Sequence, residues 1–315
     1  YFKNCSFEAK FLKYMTKLKA WISAARLRTL PLSVSGIIMG ASLGCNHYIH
    51  TSLAFYQTTI FWLAITTTLC LQILSNFAND YGDGVKGTVG PQRALQSGAI
   101  SKKEMFTGIC ITAILTLIVA ITLIYTSFGK ENFLYSLFYF FLGLAAIVAA
   151  IKYTMGNSAY GYKGLGDVFV FVFFGLVSVV GCYFLFTKKI DLFVFLPAIT
   201  VGLLSTAVLN LNNMRDCESD KKANKNTLVV KLGIANARIY HFSILLIAMK
   251  SMVIYTIFNY VNIRNVLFLL TYIPLIIHMI KVKKTKEPKL LDPELKKVAL
   301  TTFLLALLFS LGHIL

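Results

Sequence analysis

Thirteen acidic residues are few for a chain of 315, and their grouping is informative. Six of them (Asp80, Asp83, Asp167, Asp216, Glu218 and Asp220) fall in three short segments. The first segment reads Asn76-Phe-Ala-Asn79-Asp80-Tyr81-Gly82-Asp83-Gly84. The second reads Asn210-Leu-Asn212-Asn213-Met214-Arg215-Asp216-Cys217-Glu218-Ser219-Asp220. Both contain N-x-x-x-D, as Asn79…Asp83 and Asn212…Asp216, and the second continues four residues further to Asp220. On a helix, residues four apart share a face, with Cβ atoms ~5–6 Å apart. An amide oxygen beside one or two carboxylates, completed by water and phosphate oxygens, suits Mg²⁺. Asn79, Asp83, Asn212, Asp216 and Asp220 are therefore the candidate metal ligands, with a diphosphate as the group they would hold. A lone Asp80 would read as a helix-end residue at an interface, a reading that two matched segments weaken.

The third segment is Ala159-Tyr160-Gly161-Tyr162-Lys163-Gly164-Leu165-Gly166-Asp167. Its glycines suit a tight turn. Lys163 could meet a phosphate, and Tyr160 and Tyr162 could donate hydrogen bonds. An interfacial aromatic belt with a topogenic lysine explains the same residues, and composition does not choose between the two. Arg93, Gln96 and the turn Gly87-Thr88-Val89-Gly90-Pro91 add polar groups near the first cluster. Arg215, Lys221, Lys222 and Lys225 do so near the second. Guanidinium forks match phosphate oxygens, but loop cations also set topology.

These residues must be positioned by helices in a bilayer. The chain is 57% hydrophobic and 14% charged, more apolar than a soluble domain of this length tolerates. Apolar runs of about 20 residues span ~30 Å of hydrocarbon. Nine such spans are predicted: Leu30–Cys45 (starting nearer Trp21, with Pro31 permitting a bend), Ser52–Phe77, Met105–Ser127, Phe133–Tyr153, Asp167–Phe186, Leu192–Leu211, Ile239–Phe258, Val266–Ile280 and Val298–Leu315. Tyr1 to Lys19 is basic and amphipathic, unlike a cleavable signal peptide, and the missing initiator Met suggests residues before Tyr1. Of 31 Lys and Arg, 26 lie in the N-terminal segment and the loops 2–3, 4–5, 6–7 and 8–9. By the positive-inside rule these face the cytoplasm, which puts the N-terminus inside and the C-terminus outside. Lys250 falls within span seven and must face a cavity or snorkel. The net charge of +18 is explained by topology and anionic lipid, with no nucleic-acid partner expected. The six cysteines form no CxxC pair and read as small buried residues. The His47/His50 pair reads as interfacial more readily than as a metal site.

Four stretches in this order, Asn79-Asp80-Tyr81-Gly82-Asp83, Gly90-Pro91-Gln92-Arg93-Ala94-Leu95-Gln96-Ser97-Gly98, Tyr160 to Asp167, and Asn212-Asn213-Met214-Arg215-Asp216…Asp220, resemble the UbiA-type intramembrane prenyltransferases, and among them the 1,4-dihydroxy-2-naphthoate polyprenyltransferases. Ala25-Arg26-Leu27-Arg28-Thr29-Leu30-Pro31 and Lys225-Asn226-Thr227-Leu228…Leu232-Gly233 share the likeness. Two departures stand out: the run from Gly87 through Thr88 to Val89 is shorter than the family pattern, and Asn226 replaces an expected basic residue.

The resemblance implies an all-α integral membrane fold. It would be a single domain over residues 1–315, with two parallel motif-bearing repeats (about 21–153 and 154–281) and a ninth helix, around a cavity open to the cytoplasm and to lipid. It implies transfer of a polyprenyl group from polyprenyl diphosphate to 1,4-dihydroxy-2-naphthoate, with loss of CO₂ and diphosphate, giving demethylmenaquinone at the bacterial inner membrane. It further implies Mg²⁺ on the five ligands above, and substrate contacts from Asn76, Arg93, Gln96, Tyr160, Tyr162, Lys163, Asn213 and Arg215. Asp80 or Asp167 would orient a ring hydroxyl or act as base. Another aromatic acceptor, 4-hydroxybenzoate or homogentisate, fits the same scaffold. A secondary transporter fits less well, because its sites sit at mid-bilayer in inverted repeats, whereas both acidic clusters here end spans on one side.

Overall fold

The computed structural model describes residues 17–45, 54–86, 94–95, 97–157 and 159–314. Cys5, the His47/His50 pair, the turn Gly87–Pro91, Arg93 and Gln96 lie outside these residues. Among the described residues there are nine helices long and apolar enough to cross a membrane. They are α1 (Lys17–Cys45), α2 (Gln57–Val85), α3 (Lys102–Phe128), α4 (Phe133–Lys152), α5 (Gly166–Thr187), α6 (Leu192–Arg215), α7 (Leu228–Phe258), α8 (Ile263–Lys284) and α9 (Pro288–Ile314). The chain is a multi-pass, all-helical membrane protein.

All nine predicted spans are present, and the differences lie at their ends. Apolar windows mark where a helix meets hydrocarbon, while the helix itself runs on into polar sequence. Thus α2 continues past Phe77 to Val85 and α6 past Leu211 to Arg215, so both N-x-x-x-D motifs are helical, as their spacing requires. Helix α7 begins at Leu228 and breaks at Gly233, where φ is 76°. Helix α9 begins well before Val298. The bend expected at Pro31 instead precedes it: Arg26 adopts φ 51° and a short 3₁₀ turn, Leu27–Thr29, follows. Pro31 is then the second residue of the continuing helix, where its missing N–H costs nothing.

Helix α6 packs on α5, α7 and α9, and α1 on α2, α5 and α9; α3 and α4 flank α2. The main core is apolar, with Met39, Leu204, Leu211, Leu245, Met252 and Phe309 fully enclosed. The outward faces carry Ile114, Ile118, Phe138, Phe141, Ile257 and Ile277 exposed to the surroundings. Such a belt is tolerable only against lipid tails. Lys250 sits on this outer face and does not line the cavity, which leaves snorkelling as its reading.

One polar chain crosses the core between α7, α8 and α9. His241 Nε2 lies 2.8 Å from His278 Nε2, and His278 Nδ1 lies 2.8 Å from Glu294 Oε2. Lys297 donates to Glu294 Oε1 at 2.6 Å. Both imidazoles and the carboxylate are buried. Buried charge is tolerated when it is paired on every side. Glu294→Ala would strand both rings and is expected to lower the stability of the solubilised chain by about 3 kcal/mol. Thermal unfolding in detergent measures this, and a wild-type melting temperature would show that apolar packing alone holds these three helices together.

Candidate functional site

A cavity of about 500 Å³ runs between α1, α2, α4, α5 and α6. Its body is apolar, with Leu71, Ala146, Phe173, Val177 and Leu185 among its walls. One end is polar, with Arg26, Gln72, Asn76, Asn79, Asp83, Asn212 and Lys225. The first motif opens onto this space through Asn79 and Asp83 and the second through Asn212, whereas Asp216 and Asp220 stand behind that lining.

The third segment joins them. Tyr162 donates its hydroxyl to Asp83 Oδ1 at 2.7 Å. Lys86 Nζ sits 3.8 Å from the centroid of the Tyr162 ring and Lys225 Nζ 5.6 Å from it, both within cation–π range. Lys225 also pairs with Asp220 Oδ1 at 3.4 Å. The sequence of contacts Asp83–Tyr162–Lys225–Asp220 thus crosses from the first cluster to the second. The loop is built for this: the Asn226 N–H donates to the Tyr162 carbonyl at 3.0 Å, and Lys231 Nζ to the Lys163 carbonyl at 2.7 Å. Gly164, at φ 79°, closes the turn.

Each cluster is further pinned. Thr154 donates to both the Ala78 carbonyl (3.0 Å) and Asn79 Oδ1 (3.1 Å), and its own carbonyl accepts from Lys86 Nζ at 3.0 Å. Arg215 grips Asp216 with Nε on Oδ1 at 2.8 Å and Nη2 on Oδ2 at 2.7 Å; Nη2 also meets Asn212 Oδ1 at 2.7 Å. Burial pushes the Asp220 carboxyl above the ordinary carboxylate range. Lys225 opposes that shift, and the charges of Asp216 and Asp83 add to it. Burial lowers Lys86, with Asp83 opposing. Tyr160 and Tyr153 are raised chiefly by burial, so both hydroxyls stay protonated.

Several expected site residues stand elsewhere. Lys163 is exposed and does not line the cavity; Lys225 and Lys86 hold the positions by the acids. The hydrogen-bonded turn at Tyr160–Lys163 turns the Tyr162 ring inward and the Lys163 side chain outward. Asp80 is buried against Arg26 Nη2 at 2.8 Å, and Asp167 accepts from Tyr240 at 3.2 Å. Neither lines the cavity, since both leave their helices on the side facing other protein. Asn213 is buried away from the cavity for the same reason, being one residue round the helix from Asn212. Asn76 and Tyr160 do line it. Asn76 donates to the Ala25 carbonyl at 2.8 Å, and Tyr160 donates to the Ala149 carbonyl at 2.8 Å while stacking on Phe169. Sequence reasoning missed Thr154, Gln72 and Asp292; single polar residues, whether inside a span or at a helix end, carry no spacing signal. Arg26 lay inside a stretch that resembled the family, without a stated role.

Residues 33–310 match the UbiA prenyltransferase family. This chain belongs to that family. It is 44% identical over 302 residues to the 1,4-dihydroxy-2-naphthoate octaprenyltransferase of Haemophilus influenzae, covering 94% of this chain and 96% of that one. It is 39% identical over 312 residues to the enzyme of the same name from Escherichia coli K12, covering 95% and 96%. The fold resembles that of a UbiA homolog from Aeropyrum pernix K1, with TM-score 0.66 and 14% identity over 89% of this chain and 98% of that one. The family assignment accords with a bundle whose two motif-bearing helix ends meet at one cavity through Asn79, Asp83 and Asn212.

The donor set suits a hard divalent ion. Asn79 with Asp83, and Asn212 with Asp216 and Asp220, offer only oxygens, and Asp220 Oδ2 is buried with no hydrogen-bond partner among the described residues. Among those residues no three His, Cys, Asp or Glu side chains gather into a complete cage. Close packing holds the geometry: a Cβ on Gly82 would lie 2.7 Å from the Thr154 carbonyl, whereas one on Gly143 would meet nothing within 4 Å. Gly82→Ala is expected to push the Thr154 loop off Asn79 and cost about 2 kcal/mol of stability, with Gly143→Ala near neutral. Comparative melting of the two variants checks this; equal melting temperatures would refute it.

Proposed function

We propose that this protein transfers a polyprenyl group from polyprenyl diphosphate to 1,4-dihydroxy-2-naphthoate, using Mg²⁺ held by Asn79, Asp83, Asn212, Asp216 and Asp220. The observation that carries the reading is that Asn79, Asp83, Asn212 and Lys225 meet at the polar end of one long apolar cavity, with Tyr162 and Lys225 linking the first motif to Asp220 behind it. A diphosphate with a hydrocarbon tail has that same polarity. The acceptor follows from the names of the full-length relatives.

The chemistry begins with heterolysis of the allylic C–O bond, whose electron pair leaves on the diphosphate. Bound Mg²⁺ would supply Lewis-acid stabilisation of that leaving group. Lys225 brings positive charge to the same end of the cavity, with Lys86 behind it over the Tyr162 ring, and the Tyr162 hydroxyl holds Asp83 in place. Such fixed charges stabilise charge that develops in the transition state. Walls such as Leu71, Phe173 and Val177 keep water from capturing the allylic cation. The carboxylate-bearing ring carbon of the acceptor then forms the new C–C bond. Loss of CO₂ from that carbon restores the aromatic ring, leaving the quinol form of demethylmenaquinone. Asp80, tied to Arg26, serves to fix the bend of α1 against α2, and Asp167 fixes α5 against α7 through Tyr240. The distribution of Lys and Arg supports a bacterial cytoplasmic membrane setting with the motif-bearing ends facing the cytoplasm.

Purified protein with labelled polyprenyl diphosphate, Mg²⁺ and a panel of aromatic acids tests the reading. Prenylated naphthoate product is expected, and prenylated 4-hydroxybenzoate or homogentisate in its place would redirect the acceptor assignment. Asp83→Ala and Asp216→Ala should each reduce turnover by a factor on the order of 10³, as loss of a main electrostatic stabiliser does. Lys225→Met should raise KM for the diphosphate substrate, while Lys163→Met stays close to wild type. The reverse order for the two lysines would mean that the loop turns over when substrate binds.

A further inference from the structure

Arg215 was expected to touch substrate, yet it does not line the cavity. Its guanidinium is spent on protein acceptors. Three of its hydrogen bonds satisfy both oxygens of Asp216 and the amide oxygen of Asn212. The remaining arm, Nη1, reaches Asp292 at the start of α9, 77 residues away in sequence. The arginine is largely enclosed, with side-chain exposure of 11%, and Asp292 borders the cavity.

The oxygens that Arg215 occupies are those the second metal-binding segment would offer to a divalent ion. A guanidinium and a dication on the same carboxylate repel one another strongly in such an enclosed place. We propose that Arg215 is a resident counter-ion of the metal-free state, and that Asp292 is the carboxylate to which it retreats when the metal–diphosphate pair binds. The inference rests on the reading that Asp216 holds a divalent ion. Without Asp292 the displaced guanidinium would be left among protein groups with no anion, which is costly. With Asp292 already in contact, the exchange needs only release of Asp216 and Asn212 while the Nη1 contact persists. Asp292 is thus a positioning residue, acting on the metal through Arg215, and the start of α9 is mechanically tied to metal loading.

The sign of its effect follows. In the metal-free state Arg215 has Asp216, Asn212 and Asp292; in the loaded state it has Asp292 alone. Removing Asp292 therefore harms the loaded state more, and metal affinity falls. A nearby negative charge that simply attracts cations would lower affinity too when removed, but its effect would not depend on Arg215.

The test is Mn²⁺ binding, read by electron paramagnetic resonance, to the full chain in nanodiscs with inorganic diphosphate present. Wild type should bind and Asp216→Asn should not; if both behave alike, the underlying reading falls and the inference with it. Given that difference, Asp292→Asn should weaken Mn²⁺ binding roughly ten- to hundredfold, the size of one charge-assisted hydrogen bond, and Asp292→Glu should restore it. In an Arg215→Gln background Asp292→Asn should change nothing. Wild-type affinity in Asp292→Asn, or an equal loss in both backgrounds, overturns the proposal. Should Asp292→Asn melt early, Asp292→Ser carries the same comparison.

Discussion

The structure depends on neutralising carboxylates at the ends of helices whose bodies are apolar. A bare carboxylate at bilayer depth costs several kcal/mol, and more when others crowd it. Here each acid at the polar end has a named cationic or hydroxyl partner: Arg26 for Asp80, Tyr162 for Asp83, Arg215 for Asp216, Lys225 for Asp220. Arg26 and Tyr162 come from 54 and 79 residues away, whereas Arg215 and Lys225 are near neighbours of their acids, so half of these four pairs are made by the tertiary fold. The bend at Arg26, the Tyr160–Lys163 turn and the segment after α6 exist in positions that deliver those partners.

Tyr162 is the point where these demands meet. Its hydroxyl serves one motif, its ring face attracts Lys86, and Lys225, on the far side of the second motif, shares the same ring. A phenylalanine would keep the ring and lose Asp83; a lysine would keep a donor and repel both cations. The surrounding backbone leaves little slack, because a Cβ on Gly161 would approach the Tyr153 carbonyl to 2.6 Å. The single Gly161 between two tyrosines is thus a packing solution, and the exposed Lys163 beside them belongs to the outer surface. Within this segment Tyr162 faces the acids and Lys163 faces outward.

What was legible in the sequence was whatever repeats. Apolar runs gave the nine spans, and the four-residue interval gave two helical faces, because both periodicities are local properties of a helix. The side of the helix on which a single residue lies relative to its neighbours is not local. Asp80 and Asp83 look equivalent in sequence, yet three residues of rotation send one toward Arg26 and the other to the cavity. Lys225 was one basic residue among several near the second motif, and only the contact between two distant loops distinguishes it from Lys221 and Lys222. Thr154 and Asp292 matter through partners far away in the chain, a relation that composition and spacing do not encode.

The cavity's length bears on what can occupy it. Along α2 it extends from Asp83 to Ala64, nineteen residues of helix, or about 28 Å at 1.5 Å per residue. That is far more than a bicyclic aromatic acid needs and close to the ~30 Å of a bilayer's hydrocarbon. The α5 wall is unusually broad, since Phe171–Gly181 is wound as a π-helix, and Phe173, Phe174, Val177 and Ser178 all reach the space. Tyr139 caps the α5 turn by donating to the Gly181 carbonyl at 2.8 Å and packs against Phe128 and Phe184 at the end remote from the acids. A hydrocarbon tail anchored by its diphosphate at Asp83 would therefore run parallel to the helices with lipid-like walls for its whole length. Any tail longer than the cavity has to leave between helices, and the apolar outer faces mean that what it enters is lipid. Anchoring the charged head at a fixed ring of acids and cations, while leaving the tail in surroundings that resemble its own solvent, lets one site accept a long hydrophobic donor without an enclosed tunnel of matching length.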